Sequence, residues 1–301
     1  MGMYKIMSEQ KKRAWENRII AGLNASRFAV IEPILLGLAR TRYKKLYTNL
    51  HREPLVSVCV PTYNRGKILI ERAVTSVLSQ TYTNIELIVV GDHCTDNTAE
   101  LISRIKDPRL RFYNLPNRIR RYPQTVENHW LVGGAVPANK AMELSRGQWL
   151  ARVDDDDTWS KDHIEVLLRF AQQNDYEFVS GKYIEERFGE QKVVDGVRAR
   201  DPYYTGGEKY LIDNSPKIGG VSTWLYRSYL RFMGYNIDCW RKKWNRVWDV
   251  DLSLRIYKVG ARMGFLDKVV TYVLPRPGET TVGLQAYKLT EKDKLEHYKF
   301  E

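Results

Sequence analysis

The chain has 301 residues, 43% of them hydrophobic and 28% charged, a composition that suits a soluble globular protein with a sizeable core and excludes a fibrous or disordered one. Its net charge of +12 is uneven: residues 1–53 hold eleven Lys/Arg against four Asp/Glu, and such an arm suits anionic lipid, nucleic acid or an acidic partner alike. Three cysteines (Cys59, Cys94, Cys239) without a CxxC pair or dense spacing do not suggest a disulfide framework or a structural zinc site, and suit a reducing, cytoplasmic compartment.

In chain order, Met1 to Arg18 is polar and charged and lacks the layout of a secretory signal. Lys11 to Leu46 reads as one or two amphipathic helices broken near Pro33, with apolar positions at Ile19, Ile20, Leu23, Val30, Ile34, Leu35 and Leu38. Asn24, Arg27, Glu32 and Pro33 interrupt Ile19–Ala39 and make it a poor membrane span; its apolar face either packs on the rest of the protein or lies flat on a bilayer or a partner. His51 to Pro54 reads as a linker.

From Leu55 the pattern changes. Leu55–Val60 is a short apolar run ending at Pro61, and Lys67–Gln80 follows with helical spacing. Ile85–Val90 predicts a second buried strand, Thr95–Ile105 a helix and Leu110–Tyr113 a third strand. After an Arg-rich connection, Pro137–Ser145 predicts a short helix, Gly147–Val153 a strand, and Ser160–Asn174 a helix capped by Ser160. Phe178–Tyr183 and Gly220–Tyr226 read as strands, Trp248–Val259 as a helix and Met263–Val273 as a final strand. The alternation predicts an α/β fold, a doubly wound, mostly parallel central sheet flanked by helices, with an amino-terminal helical extension.

In such a sheet, ligands sit at the carboxyl ends of the strands. Pro61-Thr62-Tyr63-Asn64-Arg65 follows the first strand, Gly91-Asp92 the second, and Asp154-Asp155-Asp156-Asp157 the fourth. Each pair of carboxylates about 4 Å apart repels by roughly 4 kcal/mol at an effective dielectric near 20, so the acidic run calls for compensation. A divalent cation shared with substrate phosphates supplies it; a solvated acidic turn ahead of a helix is the competing reading. Tyr63 offers a ring for stacking on a nucleobase and Asp92 an acceptor for a ring N–H; a plain Pro-Tyr turn with a helix-capping Asn64 explains the same residues. Trp240, Trp244 and Trp248, at helical spacing, read equally as an acceptor wall or as core. The five histidines form no HExxH motif, His93 reads as a local hydrogen-bonding residue, and neither a P-loop nor a GxGxxG occurs.

Taken together, Val58-x-Val60-Pro61-Thr62-Tyr63-Asn64-Arg65, Ser79-Gln80-Thr81-Tyr82, Glu86–Asp92, Thr95-Asp96 and Asp154-x-Asp156-Asp157-x-Trp159 resemble the family 2 glycosyltransferases of the GT-A fold, in order and spacing over about residues 55–175. The resemblance implies that Pro61, Thr62, Tyr63 and Asp92 hold the nucleoside, joined by Asn64 and Arg65. It places Asp155 toward the ribose or donor sugar and gives Asp156, with Asp154, the metal, Mn²⁺ or Mg²⁺, that bridges the diphosphate. Trp248-Asp249-Val250-Asp251-Leu252-Ser253-Leu254-Arg255 looks like the family's base-bearing segment, which implies Asp249 as catalytic base.

Departures from the family's pattern are Gly91, His93 and Cys94 in the Asp-Asp-Gly-Ser motif, Pro137-Ala138-Asn139 where Ala-Arg-Asn is common, and Trp248 and Ser253 where the base-bearing segment has Glu and Trp. The second leaves Arg118, Arg120 or Arg121 to face the phosphates. The implied partners are a UDP-sugar donor and a glycan or lipid-linked acceptor, with no nucleic acid; the basic, amphipathic arm over residues 1–53 adds peripheral membrane contact as an expectation of its own. The implied division is an extension over 1–53, a catalytic domain over 54–275 (nucleotide half 54–160, acceptor half 161–275) and a tail over 276–301. Two other readings, a nucleotidyltransferase and a basic nucleic-acid or membrane-binding module, share some of these features.

Overall fold

The computed structural model describes residues 2–48, 53–118, 122–123, 125–198, 215–241 and 247–289; Arg120, Arg121, Trp244, part of the linker and the end of the tail lie outside them. Helices α1 (Gly2–Ser26) and α2 (Glu32–Tyr47) are joined by a π-helical turn, Arg27–Ile31, just ahead of Pro33. Proline has no N–H to give the preceding turn, and the wider turn absorbs the loss without a break in the rod. Then come β1 (Val56–Thr62), α3 (Gly66–Leu69) and α4 (Thr75–Leu78) around a second π turn, β2 (Ile85–Gly91), α5 (Thr98–Ser103), β3 (Leu110–Asn114), α6 (Val126–Val132), α7 (Ala135–Leu144), β4 (Trp149–Arg152) and β5 (Asp157–Trp159). The second half holds α8 (His163–Gln173), β6 (Phe178–Arg187), β7 (Glu190–Val194), β8 (Leu225–Arg227), α9 (Trp248–Lys258), β9 (Met263–Val273) and α10 (Gly283–Leu289).

The sheet runs β3-β2-β1-β4-β8-β6-β9-β5, with β7 paired to β6. Its first four strands are parallel. Beyond β4 it is mixed: β8 is antiparallel to both β4 and β6, β9 is parallel to β6, and β5 is antiparallel to β9. β1 and β2 are buried along their whole length. Alternate side chains enter opposite cores: Val56, Val58, Val60, Leu87 and Val89 on one face, Cys59, Ile88 and Val90 on the other. Helices α3, α4, α5 and α8 contribute to the first core, and α6, α7 and α9 to the second, so both faces are covered as a doubly wound sheet requires.

The chain leaves β4 in the middle of the sheet and enters β5 at its far edge. Asp154 to Asp156 make that crossing, at the carboxyl end of the parallel half.

Several predicted elements take another form. α5 is shorter than Thr95–Ile105 because Thr95 joins a turn, its N–H donating to Asn64 Oδ1 at 2.9 Å, while Asp96 Oδ1 accepts the Thr98 N–H at 3.1 Å. Ser160 does not cap α8, which starts at His163 after Asp162; the Ser160 hydroxyl donates to Asp162 Oδ1 at 3.0 Å. The strand expected over Gly220–Tyr226 divides into a 3-10 turn, Val221–Thr223, and β8.

One stripe of α1 and α2 is docked on the domain. Leu36 enters the second core, and Glu32, fully buried, takes a hydrogen bond at 2.6 Å from Arg255, which also reaches Asp251 at 3.0 Å. Arg40 donates twice to the buried Glu177, at 2.7 and 2.6 Å, and the Tyr47 hydroxyl donates to the Gln148 carbonyl. Buried ions are tolerable only with such multiple partners. Ala14–Tyr47 meets the length and hydropathy needed to cross a membrane despite its polar interruptions, but the polar side chains of its docked stripe are bonded to the domain.

Candidate active site

A cavity of about 390 Å³ opens at the carboxyl ends of β1, β2 and β4. Pro61, Thr62, Tyr63, Arg65, Asp92, Asp154, Asp155, Asp156 and Asp249 all line it. Asn64 does not: at φ 49° it turns its amide toward Thr95 and Asp96, accepting both N–H groups and fixing the loop behind Tyr63.

The departures in the Gly91–Cys94 loop have a structural reason. A Cβ on Gly91 would lie 2.5 Å from Asn114 Oδ1, and the Asn114 amide clamps Cys94 by accepting its N–H at 2.7 Å and donating to its carbonyl at 2.9 Å. His93 adopts φ 59° with its Nδ1 3.2 Å from the Leu115 carbonyl, a local contact as expected. Asp92 is thereby held at the cavity wall, 6% exposed, where it accepts from Arg118 Nε at 2.7 Å. The Arg118 guanidinium lies over the Tyr63 ring, 3.4 Å from its centroid.

The acidic run is braced on every side. Asp155 accepts from Thr62 Oγ1 at 2.7 Å and from Arg65 Nη1 at 3.0 Å. Ser222 donates its hydroxyl to Asp157 and accepts the Asp154 N–H at 3.0 Å, while its carbonyl accepts from Trp159 Nε1 at 2.6 Å. Arg72 clips three carbonyls together, Asp156 at 2.7 Å, Leu274 at 2.9 Å and Pro275 at 2.7 Å. Asp154 pairs with Arg152, a side chain only 2% exposed that lies over the Trp248 ring at 4.2 Å. Burial pushes the Asp154 carboxyl up to about 6 against the pull of Arg152, with repulsion from Asp156, Asp249 and Asp155 adding to it. Asp155 and Asp157 are pushed up chiefly by burial as well.

These contacts revise the electrostatic expectation. Arg65 stands 3.0 Å from Asp155 and 3.6 Å from Asp156, Arg276 stands 3.9 Å from Asp156, and Arg152 pairs with Asp154, so guanidinium groups share the compensation expected of a cation. Among the described residues, no group of three or more His, Cys, Asp or Glu side chains is placed to hold a metal ion. The donor set nonetheless suits Mg²⁺ or Mn²⁺ bound with a diphosphate, since such ions commonly take one or two protein carboxylates and complete their shell from phosphate and water. Asp154 and Asp156, both half-buried at the cavity wall, are the two carboxylates that fit.

Asp249 lies in the first turn of α9, after Trp248, with its Oδ1 accepting the Val250 N–H at 2.7 Å. Burial raises its pKa, opposed by that N–H and by the charge of Arg152. Trp248 is core, 7% exposed and packed edge-on against Tyr235 at 4.6 Å, and it also lines the cavity. It is also the first residue of α9, whereas Trp240 lies in a separate 3-10 turn, so the helical spacing does not place the two on one helix.

Arg152, Arg276, Ser222 and Arg187 line the cavity without having been singled out by their sequence. A signal for Arg152 was present, a lone cation inside an apolar strand. Ser222 has none.

Comparison with known proteins bears on the family and the fold. The sequence profile of the family described as Glycosyl transferase family 2 matches residues 57–259. Glycosyltransferase GlyG of Streptococcus pneumoniae serotype 4 is 39% identical over 132 residues, covering 43% of this chain and 39% of that protein. The UDP-Glc:alpha-D-GlcNAc-diphosphoundecaprenol beta-1,3-glucosyltransferase WfaP of Escherichia coli is 34% identical over 149 residues, covering 49% of this chain and 52% of its own. The chain thus spans about half or less of the length of these relatives. The fold is similar to that of the mannosyltransferase PcManGT from Pyrobaculum calidifontis, solved in complex with GDP-Man and Mn²⁺, with TM-score 0.53, 20% identity, and coverage of 87% of this chain and 70% of that one. The profile match takes in two thirds of the chain, including Tyr63, Asp92, the acidic run and Asp249, and the chain belongs to glycosyl transferase family 2.

Proposed function

We propose that this protein transfers a sugar from a nucleotide-sugar donor, a UDP-sugar, to a hydroxyl of a glycan or lipid-linked acceptor, with inversion at the anomeric carbon. The observation that carries the reading is that one cavity is lined by an aromatic ring and a carboxylate suited to a base (Tyr63, Asp92), by the acidic run, and by a separate buried-side carboxylate, Asp249. The UDP-glucose donor and diphosphoundecaprenol acceptor in the name of WfaP support the choice of donor and acceptor class. Residues 54–275 carry the reaction in this reading.

Tyr63 stacks on the nucleobase and Asp92 accepts its ring N–H, with Thr62 and Arg65 holding Asp155 toward the ribose or sugar. Asp249 takes the proton of the acceptor hydroxyl as that oxygen bonds to the anomeric carbon. The bond to the diphosphate oxygen breaks on the opposite face, and its electron pair leaves with the nucleoside diphosphate. Burial raises the Asp249 pKa and makes it a stronger base than an exposed aspartate, opposed by the Val250 N–H and by the charge of Arg152. Asp156 and Asp154 would hold an Mn²⁺ or Mg²⁺ ion, which would supply positive charge at the diphosphate. Arg65 and Arg276, both beside Asp156, add fixed positive charge at the same place.

The test is Asp249→Asn, assayed by UDP release with a UDP-sugar found by thermal-shift screening. Turnover is expected to fall by about 10²–10⁴-fold with donor affinity unchanged; near-normal turnover would refute the assignment. Asp156→Ala is expected to remove the Mn²⁺ dependence of donor binding in calorimetry. Release of pyrophosphate instead of UDP would show a nucleotidyltransferase.

A further inference from the structure

The docked stripe of α1 and α2 reaches from Asn17, which accepts from Arg241 at 2.6 Å, through Arg27, Glu32 and Arg40 to Tyr47. At 1.5 Å per residue this is about 45 Å of helix lying along the domain. The opposite side is apolar and uncovered: Trp15 is 65% exposed, Leu23 66%, Ile34 58% and Leu38 62%, with Ile19 and Val30 between them. A stripe of that length left in water is unusual for a monomeric soluble surface.

Charge identifies what covers it. Lys11, Lys12, Arg18, Arg42, Lys44 and Lys45 are exposed on the same two helices. The carboxylates among their described side chains, Glu16 and Glu32, are half-buried and buried. An apolar stripe flanked by cations matches the headgroup region of an anionic bilayer. Two copies packed stripe to stripe would bring like charges together. Spanning the membrane would carry Arg27, Glu32 and Arg40 into hydrocarbon, away from their present partners.

We infer that α1 and α2 lie in the plane of a bilayer bearing anionic phospholipid, with Trp15, Ile19, Leu23, Val30, Ile34 and Leu38 in its interface and the domain held beneath by the docked stripe. The inference is independent of the transfer reaction, because binding to lipid is read without substrate.

The experiment is flotation of the full chain with vesicles of phosphatidylcholine and phosphatidylglycerol in equal parts, and with phosphatidylcholine alone. Binding is expected to the mixed vesicles, much weaker binding to the neutral ones, and release by high salt. Leu23→Glu with Leu38→Glu is expected to lower binding roughly tenfold or more. Lys44→Gln with Lys45→Gln is expected to lower it roughly fivefold for each cation removed. All four positions are exposed, so the melting temperature and UDP binding should match the unsubstituted chain. Absence of wild-type flotation on mixed vesicles overturns the inference. So does resistance of the bound protein to alkaline carbonate, which marks a spanning helix. A dimer that the Leu23/Leu38 variant converts to monomer without loss of flotation overturns it too. Failure of UDP to bind the unsubstituted chain would instead refute the active-site reading and leave the lipid result standing.

Discussion

The guanidinium carbon of Arg118 lies 3.4 Å from the centre of the Tyr63 ring, and its Nε bonds Asp92 at 2.7 Å. Arg118 therefore covers one face of the Tyr63 ring and one oxygen of Asp92, and a base stacking on that face would compete with this side chain. Arg118→Met is expected to tighten binding of uridine, the nucleoside without phosphates, severalfold. Tyr63→Ala should weaken it by roughly five- to a hundredfold, the usual range for a lost base–aromatic stack. NMR titration distinguishes them; weaker uridine binding in Arg118→Met would show that the guanidinium contacts the base directly.

Gly134 permits the close approach of α9. A Cβ there would lie 2.7 Å from Trp248 Cζ2, and Trp248 immediately precedes Asp249. Gly134→Ala is expected to lower kcat while donor affinity stays near normal, with an overpacking cost of about 1–3 kcal/mol. Thermal melts and steady-state kinetics on one preparation check both.

Arg255 is the shared cation of Glu32 and Asp251, all three 5% exposed or less. Arg255→Met leaves two buried carboxylates without it and is expected to cost about 3–5 kcal/mol in urea unfolding. Because Glu32 belongs to α2, the loss should also expose the docked stripe to protease.

Three buried groups with depressed pKa values add to the loss of stability in acid. Burial holds His163 down to about 3 from an ordinary 6.5, its ring stacked 3.8 Å from Trp159. For Glu86 and Glu177, burial alone would raise the pKa. Hydrogen bonds from Ser57, the Arg146 N–H and Arg111, and from Arg40, Tyr229 and the Arg262 N–H, outweigh it and hold both below 4.5. All three folded-state values are depressed, so each contribution is complete above the ordinary value and fades as pH falls toward the folded one. The His163 contribution should fall by about 2 kcal/mol between neutrality and pH 5, with the two glutamates acting below about 4.5. His163→Asn is expected to flatten the pH 5–7 part of the urea-unfolding profile and leave the steeper drop beneath it.

How much of this was legible in the chain depended on the range of the interactions. β1 and β2 were legible because both faces are buried and their apolar runs are unbroken. The positions of Tyr63, Asp92 and Asp154 followed, since each stands at the end of such a strand. The three-residue β5 was not legible: Asp157-Thr158-Trp159 is a strand only through pairing with Thr271–Val273. Ser160 was misread as a cap because its hydroxyl bonds Asp162 instead of a helix N–H. The arginine compensation of the acidic run was hidden for a similar reason, since Arg65 and Arg276 reach it from far along the chain in both directions.

The Arg72 clip gives the site an order of assembly. Its contacts to Leu274 and Pro275 close loops of 202 and 203 residues, and contacts of that separation form late. During synthesis, the aspartates emerge well before the backbone that cradles them and before Arg276. A nascent or truncated chain ending ahead of Leu274 can build its sheet and set Arg65 and Arg152 beside the aspartates, yet its acidic loop lacks the carbonyl clip and the guanidinium of Arg276 until the residues after β9 arrive.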